Sequence, residues 1–323
     1  MIRRRSTIAL AVGFLVVPAI LHLGIWSPEP LGVDAVSAVT PGYIAVVGAG
    51  NPSGPGAPAT PTVEDLVRGA FYLSGGLHKA IDSSAEDVLL RPGHTPMDKK
   101  ALAQHAEVLR AVILLLHDIA HDARITLLLG GVPGSGVQAP PGLTEALQAI
   151  VADPALADLD LVLLDLNKEE TEGIEVPDGG EAADEYPVPI VLLECDAVVN
   201  VARYHGSLSA LQNLVGLAPA AMGAADEDRD GYLVDMALLA DVEFTILDML
   251  GRDHPRGPVV LASADGLAVD RLAEALAGND RIPPALTRAG GRLLGMSALA
   301  GIKVGGLEVV GTWTPDAAAP AAQ

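Results

Sequence analysis

Short β-branched segments alternate with apolar-periodic helical segments along most of this 323-residue chain. The periodicity predicts strands at 43–48, 87–91, 125–129 and 161–164, and helices at 97–120, 143–151 and 267–277. Strands that alternate with helices pair mostly in parallel, because each helix carries the chain back across the sheet. The sequence therefore predicts an α/β fold, with a mostly parallel or mixed sheet and helices on both faces.

Shorter elements continue this alternation in the middle of the chain. Two closely spaced strands are predicted at 190–193 and 197–201, after an acidic loop at 168–186. Helices at 208–214 and 232–239 and strands at 244–247 and 259–262 follow. The first helix of the domain is expected to begin after Thr62, because Asp65 stands three positions later, as in a capping box.

The composition limits both the core and the partners. Half of the residues are hydrophobic but only 3% are aromatic, so the core is built from aliphatic side chains, as in buried parallel strands. The net charge of −21 opposes binding to nucleic acid and adhesion to anionic lipid. Cys195 is the only cysteine, which excludes an internal disulfide and a cysteine-ligated iron-sulfur cluster within this chain.

The N-terminal segment predicts an extracytoplasmic location. Arg3, Arg4 and Arg5 precede an uncharged run at 6–27, and its apolar part matches the thickness of a bilayer core. A retained transmembrane anchor and a cleaved signal both remain open, because Val36-Ser37-Ala38 suits a signal peptidase. Either alternative places the domain in the cell envelope, as a periplasmic or otherwise exported protein, with the membrane as a partner only through this segment.

The chain is accordingly divided into four parts. Residues 1–30 are the anchor or signal segment, and residues 31–42 are a linker. Residues 43–314 form the α/β domain. The Ala/Pro-rich residues 315–323 are expected to be a disordered tail.

Two short motifs resemble ligand-binding signatures but lack an essential part. Gly48-Ala-Gly50 follows a strand as in a dinucleotide-binding turn, yet prolines interrupt the helix that such a turn requires. His117 and His121 have the spacing of a zinc-peptidase helix, but histidines also commonly end a helix, where they offset the carbonyl groups. A tight loop and a helix terminus are the simpler interpretations.

An acidic segment resembles the first half of a calcium-binding loop. Asp226, Asp228 and Asp230 stand at alternate positions and Gly231 follows, as hard-cation coordination requires. Ala237 occupies the twelfth position, where a bidentate acid is expected, although Asp235 lies close by. Calcium binding and an ordinary solvated acidic turn both remain open.

Several blocks of residues between 62 and 295 are similar to a known family. They include Arg91-Pro92-Gly93, Asn200-Val-Ala-Arg203-Tyr-His205, Gln212-Asn213-Leu-Val-Gly216 and Ser263-Ala-Asp265-Gly-Leu-Ala268-Val-Asp270. In this combination the chain resembles the domain of unknown function 362 family. The resemblance implies an α/β domain with conserved polar blocks after its strands, but it implies no established reaction.

The departures from the family pattern change the expected chemistry. Arg91, Arg203 and Gln212 stand where the family has lysines, and Gly93 replaces an asparagine. A guanidinium stays protonated at any working pH, so these positions could clamp an anion but could not supply a lysine base. Many relatives carry ferredoxin-like cysteine clusters, which this chain lacks, so we expect no iron-sulfur cluster.

The polar residues of these blocks follow predicted strands, where α/β proteins usually bind ligands. We therefore predict a pocket for a small anionic or metal-bound ligand, with His205 as the acid-base group and six further ligand-binding residues: Arg91, Arg203, Asn213, Ser263, Asp265 and Asp270. Structural roles compete for three of them. Asp265 could cap the following helix, Asn213 could pack within its helix, and Asp270 could face solvent.

Whether this site is catalytic remains open at the level of the sequence. The alternative is a noncatalytic binding or scaffold module of the cell envelope, which the loss of the family lysines favours. Calcium could stabilise such a module through the acidic segment.

Overall fold

The computed structural model describes residues 43–48, 61–74, 79–218, 228–251, 258–279, 281–292, 294–299 and 302–308. The predicted N-terminal segment, the linker, Asp226 and the tail lie outside these ranges. Within the described ranges, no helix has the length and apolar character needed to cross a bilayer.

The described residues form ten strands and eight α-helices. The strands are β1 Tyr43–Gly48, β2 Asp87–Arg91, β3 Arg124–Leu129, β4 Leu161–Asp165, β5 Thr171–Glu175, β6 Glu185–Pro189, β7 Ala197–Arg203, β8 Phe244–Asp248, β9 Val259–Ser263 and β10 Lys303–Glu308. The helices are α1 Val63–Leu73, α2 Lys99–Ile119, α3 Leu143–Val151, α4 Ile190–Glu194, α5 Ser209–Gln212, α6 Arg229–Ala240, α7 Gly266–Leu276 and α8 Pro284–Gly291.

Eight strands form one sheet in the order β10-β1-β9-β8-β7-β2-β3-β4, and β5 pairs with β6 in a separate hairpin. The pairs β1–β10, β2–β3, β2–β7, β3–β4 and β7–β8 are parallel. Only β9 runs antiparallel to its two neighbours, β8 and β1. The prediction of a mostly parallel α/β sheet is confirmed.

Helices cover both faces of the sheet. On one face, Leu66 of α1, Leu109 of α2 and Leu147 of α3 pack in a core that includes Val199 and Val201 of β7. The opposite face is covered by α5, α6, α7 and α8, whose apolar side chains form further buried clusters. Successive strand residues point to opposite faces, so the residues of β7 alternate between the two cores.

Local sequence signals account for the starts of the long helices. Thr62 Oγ1 accepts a hydrogen bond from Asp65 N at 3.1 Å, and Asp65 Oδ2 accepts one from Thr62 N at 2.9 Å. This reciprocal capping box confirms the predicted start of α1. Asp98 caps α2 in a similar way, by accepting a hydrogen bond from Ala101 N.

Two of the predicted local elements are wrong, and one strand was not predicted. The segment predicted as a strand at 190–193 is the helix α4, which follows Pro189 as its N-cap residue. The predicted acidic loop contains β5 and the start of β6. The strand β10 is not predicted, because its glycines weaken the β-branched pattern that normally marks a strand.

Candidate functional site

A row of buried polar side chains crosses the middle of the sheet. Arg91 of β2 pairs with Asn200 of β7, Asn200 with Thr245 of β8, and Thr245 with Ser263 of β9. All four residues are at most 2% exposed. Directly paired residues project from the same face of a sheet, so this polar row lies on the face that α5 to α8 cover.

Arg91 holds two backbone segments together, one at Gly130 and the other at residues 213–215. Its Nε donates to Asn213 O at 3.0 Å, its Nη1 to Gly130 O at 2.6 Å, and its Nη2 to Val215 O at 2.9 Å. Complete burial lowers the pKa of Arg91 to about 9, so the guanidinium is still charged at neutral pH. With its donors occupied by carbonyl groups, Arg91 organises the backbone rather than presenting a free cation.

Asn213 connects Arg91 with the next member of the polar row. Its Nδ2 donates to Asn200 Oδ1 at 2.8 Å and to Arg91 O at 3.3 Å, and its Oδ1 accepts from His94 N at 3.0 Å. Asn200 Nδ2 in turn donates to Ala210 O at 3.0 Å. The predicted residues Arg91 and Asn213 are therefore brought together, within a hydrogen-bond network that is satisfied by the protein itself.

Arg203 lies on the opposite face of the sheet, two residues beyond Val201. Its Nη1 donates to Asp248 Oδ2 at 2.6 Å, and His105 Nδ1 lies 3.2 Å from the same oxygen. His105 Nε2 accepts a hydrogen bond from Gly93 N, so the proton of neutral His105 is on Nδ1 and is donated to Asp248. Burial raises the pKa of Asp248, but His105 and Arg203 outweigh it and hold this pKa below its usual value.

This ion pair forms a wall of a cavity of about 290 Å³. We call it the carboxyl-edge cavity, because it opens where β7 and β8 end; it is lined by Arg203, Tyr204, His205, Gly206, Asp248, Met249 and Gly251. Arg203 is only 8% exposed, and its Nε and Nη2 make no hydrogen bond within the described part of the chain. The cavity thus contains a cation with unused donors.

His205 is the second titratable side chain of this cavity. Desolvation lowers the pKa of its imidazole below the ordinary value, and the nearby charge of Arg229 lowers it further. Its backbone is fixed because His205 N donates to Ser209 Oγ at 3.2 Å. At neutral pH His205 is therefore an uncharged imidazole that can accept a proton.

Ser263 and Asp265 do not share this edge of the sheet. Because β9 is antiparallel, its end lies beside the start of β8, where Ser263 pairs with Thr245 rather than with Asp248. Asp265 Oδ1 caps α7 by accepting from Ala268 N at 2.8 Å, and its Oδ2 accepts from Met296 N. The expectation that all the predicted residues meet at one edge is wrong for this pair, and the capping role proposed for Asp265 is present.

Asp270 is buried in α7 rather than facing solvent. Its two carboxylate oxygens accept hydrogen bonds from Ala210 N at 2.7 Å and Leu211 N at 2.9 Å, so Asp270 anchors the short helix α5. Burial raises the pKa of Asp270 to about 7, and these hydrogen bonds only partly oppose the shift. The solvent-facing alternative is wrong because α7 is enclosed by the sheet, α5 and α8.

The described part of the predicted calcium segment has other hydrogen-bond partners. Asp228 caps α6 through Gly231 N and forms an ion pair with Arg288. Asp235 is buried and accepts hydrogen bonds from Glu181 N, Ala182 N and Tyr186 Oη. Asp230 lies in the first turn of α6, and no cluster of three or more metal-ligating side chains occurs among the residues with described positions. Calcium binding stays a prediction.

Several residues of the site were not singled out from the sequence. His105 lies in the middle of α2, where a histidine is not distinguishable from other polar residues, although Gly93 offers a clue. A Cβ at position 93 would lie 3.0 Å from His105 Nε2, so the glycine makes room for this contact. Thr245 and Asp248 could have been found from their positions as polar residues in a buried strand.

Comparisons with known proteins find a family model and solved structures that are similar to this chain. The model of the domain of unknown function (DUF362) family matches residues 88–274. A solved structure of the lactate racemase apoprotein from Thermoanaerobacterium thermosaccharolyticum is 13% identical, with a TM-score of 0.47 over 70% of this chain. The chain covers 54% of that structure, or about half its length. Comparison with curated proteins finds no match. Since the family model spans more than half of the 323 residues, the chain belongs to the domain of unknown function 362 family.

Proposed function

We propose that this protein binds a small molecule that carries a carboxylate or phosphate group, in the carboxyl-edge cavity. The observation that carries the proposal is the state of Arg203, which is nearly buried and, among the residues that the structure describes, hydrogen-bonds to Asp248 through Nη1 alone. Its remaining donors have the fork geometry that recognises carboxylate and phosphate groups. Arg229, whose charge acts on His205, adds positive potential near that imidazole.

His205 gives the site a group that can exchange a proton with the bound molecule. Its lowered pKa keeps the imidazole neutral at pH 7, the form that accepts a proton from a ligand hydroxyl or an activated carbon. Binding without catalysis, as in a scaffold module, leaves His205 as a hydrogen-bond partner only. The proposal is therefore anion binding, with His205 positioned for acid-base chemistry.

The location proposed for this activity is outside the cytoplasm. The arginines at 3–5 and the apolar run that follows them support export, with the domain either tethered to the membrane or released after cleavage. Cell fractionation tests this proposal, and extraction at high pH distinguishes a tethered protein from a released one. Recovery of the full-length chain in the cytoplasmic fraction contradicts it.

Binding is tested by calorimetric titration of the full chain with inorganic phosphate and with acetate. We expect saturable binding of at least one anion, and a loss of affinity of at least about tenfold in Arg203→Lys, because an ammonium cannot reproduce the guanidinium fork. His205→Gln should weaken binding less. A competing chloride titration separates specific binding from simple charge screening.

The matched controls are Arg110→Lys and His121→Gln. Arg110 donates its Nε to Asp153 at 2.9 Å on the surface, so this substitution also changes an arginine–aspartate pair but leaves the cavity unchanged. Both control variants should bind the anions as the original protein does. If Arg203→Lys binds them equally well, Arg203 is a structural ion-pair partner and the proposal is wrong.

A further inference from the structure

A second cavity lies on the other face of the sheet, at the edge where the parallel strands begin. This amino-edge cavity has a volume of about 240 Å³ and lies between β8, α5, α6 and the start of α7. Its floor includes Asn200 and Thr245, and its walls include Leu211, Leu214, Leu267 and Ala237. It shares no described lining residue with the carboxyl-edge cavity.

Thr245 is the polar group that this cavity leaves without a partner. The residue is 2% exposed, and its Oγ1 makes no hydrogen bond within the described ranges. A hydroxyl in so enclosed a position usually has a protein, ligand or water partner, so this one is available to a molecule in the cavity. Asn200, its neighbour in the polar row, is already bonded to Asn213 and Ala210.

Gly266 keeps the space in front of this hydroxyl open. A Cβ at position 266 would lie 2.8 Å from Thr245 Oγ1, closer than ordinary packing allows. Both residues line the amino-edge cavity. The glycine at the first position of α7 therefore leaves Thr245 accessible to a molecule in the cavity.

The lining determines the chemistry of the ligand. Among the described residues that line the cavity, none is a lysine, arginine or histidine, and Asp241 is a carboxylate that already has a partner. A buried anion would therefore find no compensating charge. Most of the wall side chains are aliphatic, and the volume is below that of pockets for drug-sized ligands. We propose that the amino-edge cavity is a second binding site, for a small uncharged aliphatic molecule whose single oxygen-containing head hydrogen-bonds to Thr245.

Two probes with four carbon atoms each, one uncharged and one anionic, test the proposal. The full chain, with its Thr and Leu methyl groups labelled, is titrated with 1-butanol and with butyrate and followed by nuclear magnetic resonance. We expect saturable shifts at Thr245, Leu211 and Leu267 with 1-butanol and none with butyrate. The absence of saturation with 1-butanol, as when only water occupies the site, or equal binding of butyrate, overturns the proposal.

Two variants locate the site and one serves as a control. Thr245→Val preserves shape but removes the hydroxyl, and should weaken 1-butanol binding by roughly twofold to twelvefold. Ala237→Leu fills the cavity from α6 and should abolish saturable binding. Thr126→Val changes another buried strand threonine, which lies on β3 and outside the cavity, and should leave the affinity unchanged. Equal affinities in all three variants overturn the proposal, and thermal unfolding verifies that each variant is folded.

Discussion

The two cavities differ in chemistry although they belong to the same sheet. The carboxyl-edge cavity contains an arginine, an aspartate and a histidine, and its charges are partly compensated within the protein. The amino-edge cavity contains an amide, a hydroxyl and the carboxylate of Asp241 among mostly aliphatic walls, and no cation among the described residues. The polar blocks of the family pattern all follow strands, but their residues lie in separate environments. Only the order and direction of the strands show which environment each block enters.

The direction of β9 is the cause of this difference. The block that begins at Ser263 would have joined Arg203 and His205 if β9 were parallel to β8. Because β9 is reversed, the same block supplies a residue of the polar row, the cap of α7 and the anchor of α5. The lesson is that a polar residue after a strand can be assigned to an edge only when the strand direction is known.

The largest effect should come from the titration of Asp270, whose carboxylate holds the α5 wall of the amino-edge cavity. Its pKa is raised from 3.8 to about 7, so its contribution to the free energy of unfolding is fully present below pH 3.8 and is lost as the pH rises through 7. The shift between the two pKa values corresponds to a loss of at most about 4 kcal/mol in the free energy of unfolding. Denaturant unfolding at several pH values should show this decrease in the original protein relative to Asp270→Asn.

Comparing the two proteins at each pH is necessary because the imidazole of His205 has the opposite effect. Its pKa is lowered in the folded state, so its contribution is present above the ordinary histidine pKa and is lost at lower pH. The curve for Asp270→Asn retains this component. Parallel curves for the two proteins between pH 4 and pH 7 would contradict the assignment to Asp270.

Replacing Arg91 should lower the stability of the protein more than it affects ligand binding, because Arg91 lines neither cavity. Arg91→Met leaves three backbone carbonyl groups without their donor, and we expect a loss of about 3 kcal/mol in the free energy of unfolding. Arg110→Met, at the surface, should cost less than about 1 kcal/mol. If Arg91→Met abolished phosphate binding with unchanged stability, Arg91 would belong to the ligand site instead.

The smallest effects should come from replacing one glycine beside each cavity by alanine. Each substitution should lower the affinity of its own cavity only. A Cβ at Gly251 would collide with Arg203 Nη2, and one at Gly266 would crowd Thr245 Oγ1. Gly251→Ala should therefore lower anion affinity about tenfold, or about 1.4 kcal/mol, without affecting 1-butanol binding. Gly266→Ala should weaken 1-butanol binding without affecting the affinity for anions. Titration of both variants with both probes measures this, and a loss of both affinities in either variant would show that the cavities are coupled.

Much of the fold could be predicted because it depends on local patterns. The capping box at Thr62 and the apolar runs of β2 and β8 identify their elements directly. The direction of β9 depends instead on its connection. Only residues 249–258 separate β8 from β9, which is short for the crossover of a parallel pair, so this signal was present in the spacing.

The site was less predictable because it depends on which side chains satisfy one another. The proximity of Arg91 and Asn213 was expected, but the use of the Gly130, Asn213 and Val215 carbonyl groups as acceptors leaves no signature in the sequence. The pairing of His105 with Asp248 joins residues 143 positions apart. Burial of Asp270 likewise follows from how α5 and α8 pack on α7, which helical periodicity alone does not contain.

The reversal of β9 also has an evolutionary consequence. Loops at opposite edges of a sheet can lengthen, shorten or exchange residues without disturbing each other, provided that the buried strands between them are kept. Descendants of this scaffold could therefore change what one cavity recognises while the other keeps its specificity. One strand running against its neighbours gives the domain two places at which selection can act separately.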